Sequence, residues 1–100
     1  MTTGQVIKEI RKNQGMSQVE LAEAADITQT ALSQIENGRR PSVETFARIS
    51  QALKTPEALI HLMTIEKKDV PESKQMLYEK LFPVIKDLIM QITGDERKQA

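Results

Sequence analysis

The chain has 100 residues, with 14 basic and 14 acidic side chains and no cysteine, so it fits one small domain with an appendage and excludes a disulfide framework or a cysteine-ligated metal. No apolar run is long enough to cross a bilayer and the N-terminus lacks the apolar region of a signal peptide, so we expect a soluble cytoplasmic protein with no membrane partner. Net neutrality excludes a uniformly basic nucleic-acid coat, and any DNA binding must therefore come from local placement of charge.

The first predicted helix covers residues 4–14. Val6, Ile7 and Ile10 form its apolar stripe, and Gly15 lies just past its end, where glycine commonly terminates a helix. This segment therefore reads as a short amphipathic helix with one buried face.

Two short helices joined by a tight turn are predicted within residues 17–40. Ser17 and Glu20 have the spacing of a capping box at the start of the first of them. Asp26 lies at the turn, and Asp tolerates the left-handed region better than most residues, though less well than Gly. Thr28 is suited to cap the second helix. Leu21, Ala22, Ala25, Ala31, Leu32 and Ile35 are the predicted inward positions.

The second of these helices has a polar outer face, and it ends at Asn37-Gly38. Its outward residues are Gln29, Thr30, Ser33 and Gln34. A polar face on an exposed helix can be merely solvated, but this one contains no acid between Asp26 and Glu36 in a chain rich in acids. Two such helices with a short turn describe a helix-turn-helix.

A specific set of residues now points to a known family. It consists of Gln18, Leu21, Ala22, Ile27, Leu32 and the run Ile35-Glu36-Asn37-Gly38. This pattern resembles the Cro/lambda-repressor-type (XRE) family of helix-turn-helix DNA-binding proteins, over about residues 4–63. Asp26 is the one departure, because the family usually has Gly at that position.

The remaining part of the family-like domain is predicted to form two more helices. Ser42 can cap a fourth helix over about 43–53, and Thr55 can cap a fifth that has Pro56 at its first position. The expected inward residues are Val43, Phe46, Ala47, Ile49 or Ser50, Leu53, Ala58, Leu59, Leu62 and Met63. The predicted fold is therefore all-α, with a five-helix lambda-repressor-like DNA-binding domain in residues 1–64.

A C-terminal amphipathic helical segment follows this domain. We expect a linker at 65–71, the helical segment at 72–93 and a polar tail at 94–100. Pro83 should kink this helix or divide it into two. Its apolar stripe either packs on its own domain or pairs with a second copy, and pairing is the reading we favour. The residues expected to form that dimer interface are Leu77, Leu81, Ile85, Leu88, Ile89 and Ile92.

The resemblance also implies how DNA would be held, with residues 28–36 as the recognition helix in the major groove. The residues expected at base edges are Gln29, Thr30, Ser33 and Gln34, since a glutamine amide matches adenine N6 and N7. Those expected at phosphates are Gln18, Thr28, Asn37, Arg39 and Arg40. The resemblance further implies an ion pair between Arg11 and Glu36, although two solvated surface charges are the ordinary alternative.

The function expected from the sequence is that of a transcriptional regulator, a repressor that binds a pseudo-palindromic double-stranded operator as a homodimer. The alternative is a protein-interaction module, an antitoxin or anti-repressor-like protein whose C-terminal helix binds a partner protein. An enzyme is not expected, and neither is a cofactor or metal. The chain has no phosphate-binding glycine loop and no metal-ligand cluster, and His61 is its single histidine.

Overall fold

The computed structural model describes residues 1–94, and over that range the fold is all-α, as predicted. The six α-helices are α1 Thr3–Asn13, α2 Gln18–Ala24, α3 Gln29–Glu36, α4 Val43–Ala52, α5 Glu57–Met63 and α6 Gln75–Thr93. Single turns of 3-10 helix at Lys67–Asp69 and Glu72–Lys74 connect α5 to α6. Apart from Gly94, the predicted polar tail lies outside the described residues. None of the described helices is long and apolar enough to cross a membrane.

Residues 1–64 form the head, in which local hydrogen bonds start α2, α3 and α4 where the sequence predicts them. Ser17 and Glu20 form the reciprocal capping box of α2. Thr28 accepts a hydrogen bond from the Ala31 amide, and Ser42 caps α4 in the same way. These side chains satisfy amides that have no partner inside the helix, so the confirmed caps fix where each helix begins.

The predicted cap of α5 is wrong. The cap position is held by Pro56, which offers no side-chain hydrogen bond. Thr55 is instead buried, and its hydroxyl donates to the carbonyl oxygen of Leu53 at 3.0 Å. The hydroxyl is therefore used to close the end of α4, because Leu53 is the residue at which that helix stops.

The core of the head contains most of the predicted apolar residues, with three differences. Ala58 is exposed although we expected it inside, because it lies about 160° round α5 from the buried Ile60. Val43 is 87% exposed although we expected it inside. It is the first residue of α4, and the buried residues of that helix begin at Phe46. Ile60 is fully buried although it was not among the expected inward residues. Since α5 has apolar side chains on several sides, its orientation is set by packing against α1 and α4 and not by a polar face of its own.

The connection between the head and α6 is ordered by contacts with α6 itself. The Tyr78 hydroxyl donates to the Ile65 carbonyl oxygen at 2.8 Å, and Lys67 forms an ion pair with Glu79. Desolvation, with the charges of Glu66 and Asp69, raises the pKa of Tyr78 above its ordinary value. The hydrogen bond from its hydroxyl holds the predicted linker against the start of the helix.

Helix α6 is one continuous helix through Pro83, which answers the question that the sequence left open. One side of it packs on the head, where Ile89 is 3% exposed and belongs to the common core. The other side is exposed, and its large apolar side chains are Leu77, Leu81, Val84, Ile85, Leu88 and Ile92. We call these six residues the exposed α6 face. Packing on the chain's own domain therefore holds for Ile89, which was predicted to lie in the dimer interface but is enclosed by the head. Pairing of the remaining stripe with a second copy stays a prediction.

Candidate nucleic-acid interface

Helix α3 carries its polar residues on one outward face. Asp26 makes the turn before it with a φ of 55°, in the left-handed region expected from the sequence. Gln29 and Thr30 are exposed on the first turn, and Ser33 and Gln34 follow them at four-residue steps. Residues four apart lie on the same side of a helix, so these four side chains form one surface, of which Ser33 is partly buried.

The hydrogen bonds of this surface differ from residue to residue. The Gln34 side-chain oxygen accepts a bond from the Arg39 guanidinium at 2.6 Å, whereas Gln29 and Thr30 lie open to solvent. A glutamine that contacts adenine through both its oxygen and its nitrogen must have its oxygen available. An amide oxygen has two lone pairs, so Gln34 can keep this bond while it accepts another, but the bond to Arg39 restricts the orientation of its side chain. Gln29 is exposed to solvent and is already able to make both contacts.

Glu36 ends α3, and its negative charge is neutralised inside the protein. Its two oxygens accept bonds from the Arg11 guanidinium, at 2.7 Å from Nε and 3.0 Å from Nη2. The amide nitrogen of Gln18 donates to the same carboxylate at 3.0 Å, and Arg11 also donates to the Met16 carbonyl oxygen. The Arg11–Glu36 pair that the resemblance implies is thus present, and the outer face of α3 is kept free of negative charge.

The residues expected at phosphates surround the two ends of α3. Thr28 caps its start, and Asn37 at its end donates to the Ser33 carbonyl oxygen at 2.9 Å. Arg39 and Arg40 are exposed in the loop that follows. Gln18 stands apart from this group, because one of its two amide hydrogens is already used by Glu36.

A helix-turn-helix family model matches residues 7–60, which contain these contacts. The chain belongs to the helix-turn-helix family of the Cro/lambda-repressor (XRE) type. The match covers the motif and the core around it, and it ends before α6 begins.

Two proteins of Bacillus phage phi105 are similar to this helix-turn-helix chain. The immunity repressor protein is 44% identical over 54 residues, which cover 53% of this chain and 38% of the relative. The ImmF control region 10 kDa protein is 46% identical over 48 residues, which cover 47% of this chain and 53% of the relative. The chain thus spans about half the length of these relatives or less, and no solved structure matches it.

Gly4 is a residue of the helix-turn-helix domain whose importance the sequence analysis missed. It is buried in α1, and a Cβ placed on it would stand 2.0 Å from the backbone oxygen of Ile35. A side chain at this position would push α1 away from the end of α3, so glycine is required for their close approach. Gly4 lies in the first turn of the helix, three residues before Ile7 and therefore on its buried side, and a glycine at such a position is the signal that could have indicated it.

The one histidine takes part in packing. The rings of Phe46 and His61 have centroids 5.0 Å apart, beside an open pocket that Arg40 and Glu57 also line. Within residues 1–94 no group of three or more His, Cys, Asp or Glu side chains is arranged to hold a metal ion.

Proposed function

We propose that this protein is a DNA-binding transcription regulator, a repressor that binds a pseudo-palindromic operator as a homodimer with α3 in the major groove. The observation that carries the proposal is the acid-free polar face of α3, made possible by the buried Arg11–Glu36 pair. Membership of the helix-turn-helix family and similarity to a phage immunity repressor support it.

Base recognition is assigned first to Gln29 and Thr30. Both are exposed on the first turn of α3, and in helix-turn-helix docking the N-terminal residues of the recognition helix contact base edges. Ser33 and Gln34 lie one turn further on, with Gln34 held by Arg39 in the unbound protein. We expect Gln29 and Thr30 to carry most of the sequence preference.

Phosphate binding is assigned to side chains at the ends of α3. Arg39 and Arg40 bring two positive charges to the loop beside it, with Thr28 and Asn37 as neutral donors and Gln18 through its second amide hydrogen. Because the chain carries 14 basic and 14 acidic residues, few phosphates are neutralised in all. Affinity should therefore fall only modestly with salt.

Dimerisation is assigned to the exposed α6 face. Leu77, Leu88 and Ile92 are each more than half exposed on one side of a helix whose other side is already buried. Large apolar patches of this kind mark interaction sites, and a symmetric pairing of two α6 helices would cover the face in both copies. A dimer of this kind presents two recognition helices to half-sites about 34 Å apart.

The test uses the full chain and a randomised duplex library, since the operator sequence is unknown. Repeated selection should enrich a site with two inverted half-sites, and sedimentation equilibrium should give a dimer. Failure to enrich any sequence contradicts the regulator. A chain that is monomeric at all concentrations tested contradicts the homodimer, and it favours use of the exposed α6 face by a partner protein.

A further inference from the structure

The C-terminal end of α6 is held by side chains from another helix. The Asn13 amide donates to the Met90 carbonyl oxygen at 2.7 Å, and the Gln14 amide donates to the Thr93 carbonyl oxygen at 2.7 Å. These two carbonyl groups belong to the last turn of α6, where carbonyl groups have no amide partner within the helix. The end of α1 thus supplies the cap that α6 lacks.

The same contacts fix the angle between α1 and α6. Glu9 and Lys86 form an ion pair at 3.3 Å, so together with the two amide contacts the polar links advance in the same direction along both helices. Gln14 donates in addition to the Leu53 carbonyl oxygen at 2.7 Å, which ties the end of α4 to the same point. Three polar contacts between α1 and α6, with the fourth contact to α4, therefore resist both tilting and sliding of α6.

Helix α1 is also joined closely to the recognition helix. Gly4 allows its backbone to touch that of Ile35, and Arg11 is paired with the buried Glu36. Helix α1 therefore lies between the element assigned to DNA and the element assigned to dimerisation, with direct contacts to each.

We infer that Asn13 and Gln14 are positioning residues that set the half-site spacing which the dimer accepts. This inference rests on the proposed dimeric repressor. In a dimer held by the exposed α6 face, the distance and the angle between the two α3 helices depend on how each head is attached to its own α6. The amide contacts are directional and make that attachment rigid, whereas the apolar contacts that Ile89 and Met90 make with the core are non-directional.

Gly94 gives an independent way to disturb the same contact. A Cβ on Gly94 would stand 3.1 Å from the Met90 carbonyl oxygen and 3.3 Å from the Asn13 amide nitrogen. Its φ of −65° suits alanine, so Gly94→Ala presses on the contact without straining the backbone or removing an amide. Gly94→Ala should therefore relax the preference for one half-site spacing, as loss of the two amides should.

The experiment compares the full chain, the Asn13→Ala, Gln14→Ala double variant, Gly94→Ala, and Gln51→Ala as the control that removes an exposed glutamine amide on α4. Each is titrated on the palindrome selected by the wild type and on versions with one or two base pairs inserted at its centre. Each inserted pair rotates one half-site by about 34°, so the wild type and the control should lose about tenfold or more in affinity on the altered sites.

The double variant and Gly94→Ala should remain dimers and should lose much less on the altered sites than the wild type does. This flattened spacing preference supports the inference, because a general loss of stability would weaken binding to all sites alike. Variants that keep the wild-type spacing preference contradict the inference about Asn13 and Gln14 but leave the proposed dimer standing. A wild-type chain that is monomeric, or that selects a single half-site, overturns it together with the proposed dimer.

Discussion

Arg11 and Glu36 are 25 residues apart in the sequence and form a two-bonded ion pair in the interior of the head. Their side chains are 8% and 2% exposed, so both charges have been removed from water. Each charge has one further partner, since Arg11 also donates to the Met16 carbonyl oxygen and Glu36 also accepts from the Gln18 amide. The pair fastens α1 to the end of the recognition helix and keeps its negative charge away from DNA.

Replacing Arg11 should strongly destabilise the protein. Arg11→Met leaves the Glu36 carboxylate buried without its counter-charge, and breaking a buried pair in this way costs about 3–5 kcal/mol of unfolding free energy. Urea denaturation measures the loss. The matched control is Arg48→Met, which breaks the exposed ion pair with Glu44 and should cost at most about 1 kcal/mol. Equal losses in the two variants would contradict the role given to burial.

Sequence-specific DNA binding should depend on Gln29 and Thr30. Alanine at either position removes the groups assigned to base edges, and each lost contact should cost about 1–3 kcal/mol on the selected site. Binding to unrelated DNA should change little, because the charges assigned to phosphate are retained. Fluorescence anisotropy on both duplexes checks this, with Gln51→Ala as the control. A variant that weakens both duplexes by the same factor would argue against base reading by these residues.

The turn before α3 carries backbone strain that glycine should relieve. Asp26 has a φ of 55°, which a residue with a Cβ adopts at a cost. Asp26→Gly should therefore raise the unfolding free energy by about 0.5–1 kcal/mol, measured by urea or thermal denaturation. Glu23→Gly, on the exposed side of the neighbouring helix, should lower it by about 0.5–1 kcal/mol. A loss of stability at Asp26 would show that its side chain matters more than its φ.

The exposed α6 face should be sensitive to charge. Leu88→Glu places a carboxylate in the centre of the proposed dimer interface, and it should shift sedimentation equilibrium from dimer to monomer. Met76→Glu is the matched control, since Met76 is also exposed on α6 but lies about 120° round the helix from Leu88. A dimer that survives Leu88→Glu would show that the exposed α6 face does not form the dimer interface.

A point substitution is a better probe of assembly than removal of the C-terminal segment. Truncation at Thr64 would also take away Ile89, whose side chain belongs to the core of the head, and the caps that Asn13 and Gln14 give to α6. Loss of dimerisation in the shortened chain would then be mixed with loss of packing. Leu88→Glu leaves those contacts in place, because Leu88 is exposed.

Features that arise within one helix or one turn could be predicted from the amino-acid sequence. Ser17, Thr28 and Ser42 cap their helices because each hydroxyl reaches an amide three residues away. Helical periodicity placed Gln29 and Thr30 on the outer face of α3 for the same local reason.

The surfaces that become covered, and the polar groups that meet across the fold, depend instead on how the helices pack together. Leu88 and Ile89 both belong to the predicted apolar stripe, yet the head encloses Ile89 and leaves Leu88 exposed. The contacts of Asn13 with Met90 and of Gln14 with Thr93 join residues 77 and 79 positions apart, so no local pattern indicates them. Such contacts form only when packing of the apolar core has brought the helices together, whereas periodicity is a property of the sequence of one helix.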